Sequence, residues 1–136
     1  MKKKAKLIIL LSILGLAFYC LFVQPELLGI NISKSLNFPL GSLIAWLGIV
    51  AYVIFFQLIM VPLSKSDLFR IEKVIRSSQF TLALLWLPVS LALSGNMAFT
   101  FQNAPHAFKF WVIYTLVILV LPLVLFILKL FGKKVN

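Results

Sequence analysis

Four long apolar runs dictate what this chain can become. Residues 7–23, 39–63, 80–101 and 110–131 consist mainly of Leu, Ile, Val, Phe and Ala. A hydrocarbon core about 30 Å thick takes roughly 17 to 25 apolar residues per helical crossing, so each run has the length of one transmembrane helix. The apolar residues surround each segment instead of forming one stripe, which argues against the surface helices of a soluble domain. Composition agrees. Of the 136 residues, 62% are hydrophobic and 12% charged, against about 25% charged in a soluble domain. So small a domain has no core large enough to hide that much apolar surface from water. The expected fold is an all-α integral membrane protein, a four-transmembrane-helix bundle in which the whole chain forms a single membrane domain.

A net charge of +10 would in a soluble protein suggest a nucleic-acid partner, but that requires a basic face exposed to water. Here the charges sort by loop, and no nucleic acid is expected. Lys2, Lys3, Lys4 and Lys6 precede the first run. Lys65, Arg70, Lys73 and Arg76 lie between the second and third, and Lys129, Lys133 and Lys134 stand at the C-terminal end. Lys34 and Lys109 are alone at the other end. Lys and Arg collect in cytoplasmic loops because translocating them is unfavourable. With eleven of the thirteen basic residues on one side, both termini are expected in the cytoplasm, which requires an even number of crossings. The localisation implied is the inner (cytoplasmic) membrane. The first run also has the layout of a removable signal peptide, with Gly15 and Ala17 at cleavage spacing. It continues apolar through Phe18 to Val23, further than such a region needs, and the second run enters from outside in either case. Tyr19 and Phe18 are too bulky to precede an acylated Cys20, and a single cysteine excludes an intrachain disulfide.

Helices in lipid associate by close backbone approach, so small residues at helical spacing mark contact faces. Gly41, Ala45 and Gly48 share a face of the second run, and Ala83, Ser90, Ser94 and Ala98 share one of the third. These are candidate helix-packing or partner surfaces. Pro88 and Pro122 lie inside the third and fourth runs, where each removes a backbone donor and favours a kink. Residues 64–79 read as a short amphipathic cytoplasmic helix between spans two and three. Ser64 or Ser66 is its cap, Asp67 favours its N-terminal dipole, and Leu68, Ile71, Val74 and Ile75 form its apolar face. Glu72 and Arg76 make an i, i+4 pair. Arg70, Lys73 and Arg76 are candidate contacts for anionic lipid. Asn31-Ile32-Ser33 spells a glycosylation acceptor in the apolar outer loop.

The residues also limit the chemistry. Ion coupling and proton relay use intramembrane carboxylates, but Glu26, Asp67 and Glu72, the three acidic residues, all fall in loops. One His and one Cys cannot complete a zinc or haem ligand set, so no metal or cofactor is expected. Ser94 and His106 could be a nucleophile and base, yet a helix end and a proline turn separate them, and no enzyme activity is expected. Gln57, Ser94 and Asn96 are the candidate polar groups within the membrane. Asn96 lies about 200° around the helix from Ser94, so the polar positions make no continuous pore stripe. Gln102 and Asn103 are expected to take up the carbonyls that end the third helix, with Phe108, Phe110 and Trp111 in an interfacial aromatic belt. The function expected is non-catalytic. The chain would act through intramembrane contacts with another membrane protein or itself, as an accessory or assembly subunit or as an immunity protein against a pore-forming toxin. A small oligomeric channel or permease is the alternative.

Overall fold

The computed structural model describes residues 3–33, 35, 37–60 and 67–132, with the backbone alone for 67–71 and 128–132. Four helices dominate: α1 (Lys3–Phe22), α2 (Leu40–Ile59), α3 (Asp67–Ser94) and α4 (Pro105–Gly132). Within them Lys3–Phe22, Leu40–Ile59, Glu72–Ser94 and Pro105–Ile127 are long and apolar enough to cross a membrane. The α1–α2 connection holds a 3₁₀ turn, Pro25–Gly29, and two short antiparallel strands, β1 (Asn31–Ser33) and β2 (Phe38–Pro39). That connection and the α3–α4 loop share one end of the bundle, here called the loop end.

Several helix boundaries differ from those the apolar runs suggest: α1 begins at Lys3 and not at residue 7, α2 ends at Ile59 and not at residue 63, α4 begins at Pro105 and not at residue 110, and both ends of α3 are displaced. The third helix stops at Ser94, not Phe101, because Gly95 takes φ +70° and donates its N–H to Leu91 O at 2.8 Å, the left-handed C-terminal stop that glycine permits. Met97 to Phe101 are apolar in composition but lie in the loop, so Ala98 does not share a helical face with Ala83 and Ser90. At its other end α3 runs without a break from Asp67 through the third span. There is thus no separate amphipathic helix, since Ser77, Ser78 and Gln79 contain no breaker to end one. Ser64 and Ser66 lie outside the described residues, as do the side chains of Asp67, Leu68, Arg70 and Ile71. Both interior prolines are accommodated within continuous helix. Pro105 opens α4, where its missing N–H removes no helical bond.

Val53 of α2, Ala83 and Trp86 of α3 and Ile118 of α4 form the buried centre. Helices α2, α3 and α4 therefore make a three-helix core. The first helix lies against α2 and the 3₁₀ turn. Gly48 permits this contact, since a Cβ there would sit 3.3 Å from the Ala17 Cβ. Gly41 does the same for the connection: a Cβ would come within 2.9 Å of Leu28 O. Outward, α1 presents Ile8, Leu11, Leu16 and Phe22, and α4 presents Ile113, Leu116, Val117 and Val120.

Candidate functional site

The polar side chains of the core pair in a reciprocal pattern. On α3, Trp86 stands four residues before Ser90; on antiparallel α4, Trp111 stands four before Thr115. Positions four apart lie on one helix face, and these two faces meet. The Trp86 indole N–H donates to Thr115 Oγ1 at 2.8 Å, and Thr115 Oγ1 donates to Trp111 O at 2.9 Å. In return the Trp111 indole donates to Ser90 Oγ at 2.8 Å, and Ser90 Oγ donates to Trp86 O at 2.6 Å. Each hydroxyl thus accepts from the opposite helix while donating to its own. The two indole rings lie 5.8 Å apart. Similar bonds tie α2 in: Tyr52 OH to Leu119 O at 2.8 Å, Trp46 Nε1 to Ala83 O at 3.2 Å, and Ser42 Oγ to Met97 O at 2.7 Å.

Asn96 organises the loop end. Its Oδ1 accepts the N–H of Ala98 and of Thr100, each at 3.1 Å, and its Nδ2 donates to Ser94 O and Thr100 O, each at 2.9 Å. This ring of bonds closes residues 94–100 and holds Phe99 at φ +53°, an uncommon conformation for a bulky residue. The Phe99 ring is thereby brought edge-on to Trp86, 5.4 Å between centroids. Ser94 Oγ lies 2.8 Å from both Ser90 O and Asn96 O, and none of its hydrogen bonds goes to His106, which is exposed. The Gln102 and Asn103 side chains are also exposed. The α3 terminus is finished by Gly95 and Asn96 instead.

At the opposite end a second polar junction joins α2 to α3. Arg76 donates to Gln57 O at 3.1 Å and to Met60 O at 3.2 Å, occupying two of the carbonyls that end α2. Gln57 Nε2 returns a bond to Arg76 O at 2.8 Å. Arg76 also forms an ion pair with Glu72, whose side chain is 6% exposed. The expected i, i+4 pair is present but faces the bundle, so Arg76 points to α2 while Lys73 remains exposed. Glu72, expected in a loop, is instead buried in α3 at the start of its span-length segment, because the helix continues back to Asp67. Gln79, one helical turn further, is 0% exposed and neither amide atom has a protein partner.

Between α1, α2 and α4 the bundle leaves an apolar groove of about 610 Å³. Gly41, Ala45 and Gly48 lie along it, and Ala98 and Phe99 border its loop end. Of the residues singled out from sequence, the structure places Ala83 and Ser90 in the core, Gln57 at the Arg76 junction, and Ser94 and Asn96 in the loop cap. Trp111, expected in an interfacial aromatic belt, is instead packed against the core and bonded to Ser90; Trp86 and Thr115 carry no expectation from sequence, although a Trp four residues before a hydroxyl occurs in both helices. Among the described residues no three of His, Cys, Asp and Glu converge as metal ligands would. No protein-family model, curated protein or solved structure matches the chain.

Proposed function

We propose that the chain is a non-catalytic multi-pass protein of the inner (cytoplasmic) membrane, with both termini in the cytoplasm, that acts by contacting another membrane protein within the bilayer. An accessory or assembly subunit, or an immunity protein against a pore-forming toxin, would work in this way. The supporting observation is the placement of α1, a span-length apolar helix lying along one side of a three-helix core and presenting Ile8, Leu11, Leu16 and Phe22 outward. A helix held mainly by one neighbour leaves most of its circumference for lipid or another helix. Inside the bundle the polar groups that join helices are mostly paired with one another, so recognition would rest on shape and packing.

The test is site-specific photocross-linking in cells from Leu11 and Leu16. A discrete adduct with one membrane protein is expected, while adducts from Leu116 on α4 provide the comparison. Equal, diffuse lipid labelling at all three positions would sink the partner reading. A homo-oligomer that conducts ions in liposomes would replace it with the channel. Orientation is checked separately: Gln102→Cys should react with an impermeant thiol reagent from outside the cell, and Lys73→Cys should not.

A further inference from the structure

We infer that the groove between α1, α2 and α4 holds the acyl chains of one bilayer phospholipid, drawn from the leaflet at the loop end. The inference goes beyond the partner reading and rests only on the chain spanning a bilayer.

Length comes first. Along α2 the groove runs from Gly41 to Tyr52, eleven residues or about 16 Å at 1.5 Å per residue. A hydrocarbon core is about 30 Å across, so the groove spans one leaflet. It closes at mid-depth, where the Tyr52 hydroxyl reaches across to Leu119 O at 2.8 Å and bridges α2 to α4. At the other end Leu28, Pro39 and Phe99 surround it. A transmembrane helix from a partner or a second copy would need a groove running the full crossing.

Volume is sufficient. An extended aliphatic chain is about 4 to 5 Å across by van der Waals contact, so 16 Å of it fills about 280 Å³, and the two chains of one diacyl lipid fit within the groove's 610 Å³.

Chemistry agrees. No charged residue lines the groove. Its polar side chains are already engaged: Ser42 with Met97 O, Tyr52 with Leu119 O, and Trp86, Trp111 and Thr115 in the reciprocal pairs. A polar solute would find no free donor, and an apolar cavity of this kind does not favour water. An aliphatic chain forfeits nothing there.

The experiment reconstitutes the full chain in phosphatidylcholine vesicles doped with phosphatidylcholine carrying a mid-chain diazirine. Irradiation and peptide mapping should place label on Ala45–Tyr52 as well as on the outward residues Val117 and Val120. Native mass spectrometry after mild detergent should retain one phosphatidylcholine per chain. Ala45→Phe, which fills the groove, should reduce that retention about tenfold or more, and Val117→Phe on the outer face should leave it unchanged. Label confined to outward faces, or equal retention by wild type and Ala45→Phe, overturns the inference. Mapping of the wild type stands even where Ala45→Phe fails to fold. A protein–protein cross-link at Ala45 overturns the lipid and supports a partner instead. Loss of label from Val117 and Val120 as well means the chain has not inserted, and removes both readings.

Discussion

Replacing Ser90 by alanine tests the reciprocal lock between α3 and α4. Ser90 is fully buried; its hydroxyl accepts the Trp111 indole at 2.8 Å and donates to Trp86 O at 2.6 Å. Losing the second bond matters little, because Trp86 O belongs to the helix and back-bonding of this kind slightly weakens a helix. Losing the first strands a buried N–H. In water-soluble cores an orphaned donor costs about 1–3 kcal/mol, while interhelical hydrogen bonds in membrane proteins average about 0.6 and reach about 1.7 kcal/mol. Burial of Ser90 and the good geometry place this bond toward the upper end, so Ser90→Ala is expected to destabilise by about 1–2 kcal/mol. The assay is reversible unfolding in mixed micelles followed by tryptophan fluorescence. Thr81→Ala is the control, since Thr81 donates only to Ser77 O on its own helix and its loss should stay within about 0.5 kcal/mol. A double-mutant cycle of Ser90→Ala with Trp111→Phe isolates the pair and should give a coupling of about 0.6–1.7 kcal/mol. Coupling indistinguishable from zero, with Ser90→Ala no worse than Thr81→Ala, would refute the lock.

Gln79→Met keeps the length of the side chain and removes an amide with no protein partner, so it should stabilise the fold by about 1–3 kcal/mol in the same unfolding assay. Arg76→Lys leaves a single ammonium where the guanidinium reaches Gln57 O, Met60 O and Glu72 together; a loss of about 1–3 kcal/mol is expected, with Lys73→Gln near zero as the exposed comparison. Gly41→Ala drives a Cβ to 2.9 Å from Leu28 O and should destabilise by about 1–3 kcal/mol. Gly15→Ala meets nothing within 4 Å and should gain up to about 1 kcal/mol from helix propensity. Asn96→Ala opens the ring of bonds over 94–100, and amide exchange at Ala98 and Thr100 should accelerate about tenfold or more by mass spectrometry.

The four span-length helices are legible in the sequence because composition and length alone specify them. What sequence obscures is where apolar residues stop being helical. Met97, Ala98 and Phe99 look like a continuation of the third span, and only the αL turn at Gly95 with the Asn96 amide ends it. The Glu72–Arg76 pair is legible from its spacing, yet its inward direction depends on where the end of α2 lies, which local pattern does not give. The Trp–Ser and Trp–Thr spacings are equally visible. They acquire meaning only once α3 and α4 are known to face each other, since the two hydroxyls accept from indoles 21 and 29 residues away. The glycine stripe on α2 is the converse case. Small-residue spacing marks a candidate face there, and the structure sets Gly48 against Ala17 and Gly41 against Leu28.

The lateral position of α1 bears on how the bundle is built. The links between Trp86 and Thr115, Tyr52 and Leu119, and Ser42 and Met97 are all made without it, so the core of α2–α4 closes among its own segments. The first helix is then an appended element, docked on a glycine-lined surface and joined to α2 by a connection that itself packs on that helix. Such an element can leave its place without breaking any of those links. Its rate of undocking, not the stability of the core, would set how often that surface is uncovered.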